Sequence, residues 1–397
     1  MANTDVIIVG AGPAGAMAAL RLAKLGFSVV MLEKDVFPRI KTCGDLVTVE
    51  GLRLLQSAGL SAWMETCRRV DVLRFSAPDG NVLDIPVADP AAEARNRILP
   101  REFLDAKLAE AAVSAGAVLR DGAKVLEAVV EPAYGQVRVR TSAETITADM
   151  LLLADGSHAP VTRQLGLLKE PADLMAARQY LRCEDVDPLG PLEFHFQQQI
   201  LSGYTWLFPQ GSYGINLGCG TYTRRVSSKE IDLAQVLEDF KRHDPVIADR
   251  LKYAEPLGPV KAHPLRTHVG GTQTHAAHVL VLGDAAGLVS PFTGEGISSG
   301  MLSGALAARF VSDAFAAGDF SSARLAPYTQ ALVDRYQADH RAAYVLRSTL
   351  REPKLLNRFF CRMAADSNLA HVFADAYLDE RSPRLLLHPH NLLKLLR

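Results

Sequence analysis

Residues 10–15 read Gly10-Ala11-Gly12-Pro13-Ala14-Gly15, a G-x-G-x-x-G turn. The apolar run before it, at 5–10, reads as a buried parallel strand, and the stretch after it, at 14–25, carries Ala and Leu at helical spacing. Gly10 allows the sharp reversal, Gly12 lets a pyrophosphate approach the backbone, and Gly15 lets helix and strand pack closely. A second apolar strand, at 28–32, ends in Glu33, 18 residues after Gly15, where an acid accepts from a ribose hydroxyl. The glycines alone are a weak signal. Strand, turn, helix, strand and acid in this order point to a dinucleotide-binding unit.

Two later segments return to the same sheet. An apolar strand at 148–154 runs into Asp155-Gly156-Ser157, and another at 278–282 is closed by Gly283-Asp284-Ala285-Ala286-Gly287. Pro291-Phe292-Thr293-Gly294-Glu295-Gly296-Ile297 then heads an Ala-rich helix. A domain for NAD alone needs neither return. The second brings a carboxylate, Asp284, and the N–H groups of a helix N-terminus toward an extended cofactor.

The chain has 397 residues, 48% hydrophobic and 22% charged, enough for two or three packed units and unlike a disordered or disulfide-stapled chain. Lys plus Arg total 43 against 44 Asp plus Glu, so no global charge draws it to nucleic acid or to an anionic membrane. Five cysteines without a C-x-x-C pair argue against a disulfide framework and a zinc ribbon, and a reducing cytoplasm is expected. No run approaches the length of a spanning helix, while peripheral membrane contact stays open. His275 and His278 lack the further ligands that a metal needs, so no metal site is expected.

The three glycine- and acid-bearing segments together resemble the flavoprotein hydroxylase superfamily, in which all three hold FAD. Phe37-Pro38-Arg39 with Lys41-Thr42-Cys43-Gly44-Asp45, and Gly203-Tyr204-Thr205-Trp206-Leu207-Phe208-Pro209, are similar to signatures of its geranylgeranyl reductase family. The likeness extends through 290–297 to Ser382-Pro383-Arg384. It implies noncovalent FAD. It carries the ribityl contact to Asp284 and the pyrimidine edge to Gly294, Gly296 and Ile297. Cys43, Gly44 and Asp45 approach the ring system, and Arg101, opening a helix at 101–114, serves the phosphate or ribityl region. Ala14, Lys34, Val125, Asp155, Gly156 and Gly283 complete the cofactor set. Cys43, Tyr204 and Trp206 are the candidate catalytic residues, the last two sharing one strand face in the substrate cavity. Bland readings stand beside these: a small buried thiol, aromatic core filling, and a solvated arginine.

The expected fold is α/β, an FAD-binding Rossmann-like domain (1–72, 96–172 and 262–320) with an inserted antiparallel β-sheet substrate domain (73–95 and 173–261) and a helical C-terminal cap (321–397). Leu385 to Leu387 and Leu392 to Leu396 read as cap helix, with a membrane-touching face as the alternative. The leading function is FAD-dependent reduction of carbon–carbon double bonds in an apolar, isoprenoid-like substrate. An FAD monooxygenase is the alternative. A halogenase lacks its Trp-x-Trp-x-Ile-Pro motif here, and a non-enzymatic flavin-binding module does not need a substrate domain. No second dinucleotide turn follows a strand, so the electron donor is left open among NAD(P)H, a ferredoxin and reduced flavin. Oligomeric state is not legible.

Overall fold

The computed structural model describes residues 2–87, 95–131, 135–244 and 246–391. Its first sheet runs, in spatial order, His275–Ala276, Val279–Val281, Thr145–Leu153, Ala2–Val9, Val29–Leu32 and Val118–Arg120. Every neighbouring pair is parallel except the first, which is antiparallel. Val6, Ile7 and Ile8 lie in the middle of it, fully buried, as a strand covered on both faces requires. Val125–Glu131 and Gln136–Thr141 extend Thr145–Leu153 as an antiparallel meander, so that strand begins three residues earlier than the apolar run suggests. The strand expected at 278–282 is shorter, Val279–Val281, because His278 takes a left-handed φ of 64° that ends extended pairing.

Helix Pro13–Lys24 leaves the first strand at the glycine turn and packs against Arg101–Ser114 and Ile297–Ala317. Its contact with the latter is close because small residues face each other. A Cβ on Gly304 would stand 2.2 Å from the Ala14 carbonyl oxygen.

The second sheet runs Val82–Pro86, Val72–Ser76, Leu192–His195, Tyr204–Pro209, Ile215–Tyr222 and Leu174–Arg182, the last also pairing with Glu255–Pro256 and Lys261–Leu265. It is antiparallel, with one parallel seam between Leu192–His195 and Val72–Ser76. These strands come from separate excursions of the chain, so no hairpin dictates their direction. Lys261–Leu265 crosses the expected boundary at 261/262 and hydrogen-bonds wholly within this sheet.

Alternation along the strands divides the sheet into two faces. Leu207, Ile215, Leu217 and Cys219 pack with Phe240 and Leu237 of helix Leu233–His243. Phe194, Trp206 and Phe208 belong to the opposite core, with Phe75, Phe360, Phe373 and Tyr377. That second core is closed by the cap helices Ser322–Thr349, Pro353–Ala365 and Ser367–Tyr377. The expected helix at Leu385 to Leu387 is a 3₁₀ segment, Pro383–Leu387, with Leu386 fully buried. Leu392 to Leu396 lie outside the described residues. No helix among the described residues is long and apolar enough to cross a membrane.

Candidate active site

A cavity of about 890 Å³ lies where the carboxyl ends of the parallel strands meet the second sheet and the cap. Ligands of open α/β sheets bind at this edge. Every candidate residue from the sequence lines it except Gly15. Gly15 acts underneath, since a Cβ there would stand 1.9 Å from the Gly10 carbonyl oxygen. Gly10 has φ 95°, and a side chain would run into the Ala154 carbonyl at 2.2 Å.

Gly12 is different. The nearest atoms to its missing Cβ are Nη2 of Arg39 at 3.5 Å and Nη2 of Arg101 at 3.9 Å. Two guanidinium groups therefore frame the backbone that a pyrophosphate must approach, a donor set that fits FAD. Both are held by one buried carboxylate: Asp105 takes the Arg101 fork at 2.7 and 2.8 Å and ion-pairs with Arg39 at 2.8 Å. Sequence pattern marks Arg101 as a cofactor residue and Arg39 only as part of a signature; Asp105, and its partnership with Arg39 across 66 positions, carry no sequence signal. Glu33 accepts the Ala11 N–H at 3.0 Å and that of Asp35 at 3.2 Å, bracing the glycine turn from the end of the second strand. Lys34 sits at the exposed rim, and Val125 also lines the cavity.

Asp155 and Asp284 divide their labour. Asp155 accepts the N–H groups of Val161 and Thr162 and the Thr162 hydroxyl, all within 3.0 Å, so its carboxylate caps the following helix. Asp284 takes one hydrogen bond, from the Ser157 hydroxyl at 2.9 Å, and lines the cavity beside Gly156 and Gly296. The left-handed φ at Gly156 (71°), Gly283 (59°) and Gly294 (77°) shapes the same wall.

The Cys43-Gly44-Asp45 turn is held from the second sheet. Asp45, fully buried with φ 65°, accepts from Tyr180 Oη (2.7 Å), Gln210 Nε2 (2.6 Å) and Asn216 Nδ2 (2.8 Å), and from the Arg101 N–H (3.2 Å). Its carboxylate is committed to the protein, which makes it the anchor of the turn rather than a free cofactor ligand. Asn216 also donates to the Cys43 carbonyl and accepts from Trp206 Nε1. Burial pushes the Cys43 thiol pKa up, with the Arg101 guanidinium pulling the other way and Asp45 adding to the rise.

Tyr204 and Trp206 share the cavity face, their rings 6.0 Å apart. Tyr204 donates to the Thr293 carbonyl, and burial raises its pKa to about 12. Phe194 meets Phe208 at 5.0 Å and Tyr377 at 4.8 Å, so this end of the cavity is walled by aromatic rings. Lys41 opens the Cys43 signature but carries no role in the sequence pattern. It hydrogen-bonds His263 Nε2, and burial, opposed by Asp284, brings its pKa down to about 8. His263 is held neutral, near 2, by burial and by Lys41. His275 and His278 bond to Thr329 and to the Asp149 carbonyl, and no metal cluster occurs among the described residues.

The family model described as FAD binding domain matches residues 3–338. Menaquinone reductase of Mycolicibacterium smegmatis is 32% identical over 333 residues, covering 81% of this chain and 79% of that protein. Digeranylgeranylglycerophospholipid reductase 1 of Methanosphaera stadtmanae is 28% identical over 342 residues, 83% of this chain and 80% of its own length. The crystal structure of a geranylgeranyl bacteriochlorophyll reductase-like protein from Thermoplasma acidophilum superposes with a TM-score of 0.81 at 25% identity, covering 97% and 99% of the two chains.

Proposed function

The chain belongs to the FAD-binding-domain family and, within it, to the geranylgeranyl reductase family, and from that premise we propose that this FAD-dependent oxidoreductase reduces carbon–carbon double bonds of an apolar, isoprenoid-like substrate. The observation that carries the reading is a single cavity that joins a two-arginine phosphate cradle to an aromatic chamber. The names of the relatives, a quinone reductase and a polyprenyl lipid reductase, support the same class.

When bound and reduced, FAD supplies a hydride. The chain's task is the rest. The aromatic wall of Phe194, Tyr204, Trp206 and Phe208 excludes water and takes up an apolar chain. An unactivated alkene needs a proton together with the hydride. The Cys43 thiol, kept protonated by burial, is the proposed donor, with Tyr204 or a water as competitors. The new C–H bonds take the hydride on one carbon and the thiol proton on the other. The thiolate left behind faces the Arg101 guanidinium until it recovers a proton from solvent.

The test is turnover with a chemically reduced flavin in the absence of oxygen, followed by mass spectrometry. A gain of two hydrogens per event is expected. A product that gains one oxygen, and forms only in air, would move the protein to the monooxygenases that share this scaffold.

A further inference from the structure

Three arginines line the cavity. Arg39 and Arg101 share the Asp105 carboxylate at the nucleotide end. Arg347, from cap helix Ser322–Thr349, lies at the aromatic end and is 7% exposed. No ion pair with a carboxylate is seen for it among the described residues. It donates from Nε to the Ser202 carbonyl at 3.0 Å and from Nη1 to the Pro291 carbonyl at 3.2 Å, and stacks on Tyr222 at 4.4 Å. Neither bond uses Nη2. A buried guanidinium satisfied by two neutral carbonyls keeps most of its positive charge uncompensated, a costly arrangement unless a ligand completes it.

One more polar group in the same wall lacks a partner. The Ser202 hydroxyl is buried without a hydrogen bond, on the residue whose carbonyl holds Arg347. The Tyr377 hydroxyl in the same wall is paired with the Tyr204 phenol, which itself donates to the Thr293 carbonyl. Both residues line the cavity. Arg347 and Ser202 are both donors, and they line the cavity with Phe194, Trp206 and Phe292, where an acceptor on a ligand would complete the guanidinium.

We propose that Arg347, with Ser202 beside it, forms a recognition subsite for an oxygen acceptor, a carbonyl or phosphoryl group, carried by the otherwise apolar substrate. The assignment rests on the proposed reductase reading and adds to it the polar feature by which a substrate is fixed lengthwise in the chamber. Arg347 is here a specificity residue, and its truncation discriminates between substrates instead of weakening all of them.

The experiment measures binding to the FAD-loaded protein, through flavin fluorescence, of three C20 polyprenyl probes: a plain hydrocarbon, one ending in a quinone, and one ending in a monophosphate. The wild type binds at least one acceptor-bearing probe about ten- to a hundredfold more tightly than the hydrocarbon, the scale of a charge-assisted hydrogen bond. Which of the two wins identifies the acceptor. Arg347→Met abolishes that preference, leaves hydrocarbon binding and FAD content unchanged, and Arg347→Lys restores part of it. If Arg347→Met fails to fold, Ser202→Ala serves, lowering the preference several-fold. Equal binding of all probes by the wild type, or a uniform loss in Arg347→Met, overturns the subsite while leaving the apolar-substrate reading in place. A change in FAD content with no change in preference reassigns Arg347 to the cofactor. A wild type that binds none of the probes removes both readings.

Discussion

At the scale of single residues, Gly12 and Gly15 sit three positions apart in one motif and should fail in different ways. A Cβ at Gly12 meets nothing closer than 3.5 Å, so the empty cradle tolerates a side chain that the pyrophosphate does not. Gly12→Val should therefore give soluble, colourless protein with an apoprotein melting temperature close to that of the wild type. Gly15→Ala drives a methyl into the Gly10 carbonyl and should cost about 1–3 kcal/mol or more of stability in the apoprotein itself. Calorimetry with FAD absorbance separates the two, and equal melting temperatures for the two apoproteins would refute the distinction. Cys43 supplies the second test at this scale. Cys43→Ser should keep FAD and fold yet lose about 10²-fold or more in turnover, the contribution of a positioned acid, and full activity would pass the proton to Tyr204 or water. These positions were legible because each belongs to a contiguous run whose spacing has a mechanical meaning. Asp45 was half-legible: the motif marks the residue, but only the fold shows that its carboxylate answers Tyr180, Gln210 and Asn216 from another sheet.

At the scale of elements, the decisive pairing is Tyr204–Pro209 with Ile215–Tyr222. Trp206 lies across Gly218: a Cβ there would stand 2.1 Å from the indole. Glycine is the residue that lets an aromatic ring cover a neighbouring strand, and the side-chain Oδ1 of Asn216 then accepts the indole N–H at 3.0 Å. Trp206→Ala should weaken long-chain substrates more than truncated ones, since chain burial is worth roughly 25 cal/mol per Å² before binding costs. Gly218→Ala should imitate that loss with the indole still present, by displacing it. KM against chain length for both variants is the measurement, and a Gly218→Ala enzyme with the wild-type profile would show that the indole's position is immaterial. Alternation predicted the shared face of Tyr204 and Trp206. It did not predict the parallel seam of Leu192–His195 with Val72–Ser76, or that Lys41 would meet His263, because pairings across more than a hundred positions leave no periodic trace. Arg347 and Tyr377 were invisible for a related reason: on cap helices their spacing reads as ordinary packing, and only the docking of the cap turns them toward the cavity.

At the scale of the whole molecule, the cap meets the cofactor domain through carboxyl groups that the chain keeps far apart. Glu295 precedes helix Ile297–Ala317, Glu50 lies in helix Val49–Ser57, and Asp379 follows the last cap helix. Arg335 of the long cap helix answers Glu50 at 2.9 Å, with Asp339 and Tyr336 on the same helix nearby. Burial raises Glu295 to about 7, the Ser298 N–H opposing and Glu50 adding. Burial likewise lifts Asp379 well above the ordinary carboxylate range, with Glu295 and Glu50 reinforcing it. A carboxyl whose folded pKa is raised holds a proton that the unfolded chain has already released. Between about 4.5 and 7 the native state thus binds more protons than the unfolded one, and stability falls as pH rises through that window. The contribution is intact below the unfolded pKa and gone above the folded one. The apoprotein's melting temperature should accordingly decline from pH 5 to pH 8, and Glu295→Gln, which keeps an acceptor for the Ser298 N–H, should flatten the decline. Arg335→Met should steepen it, because Glu50 then adds an uncompensated charge to the group. Calorimetry of the three proteins across this range decides the matter: parallel curves would mean that the interface between cap and cofactor domain does not titrate, and that its carboxyls are held by packing alone.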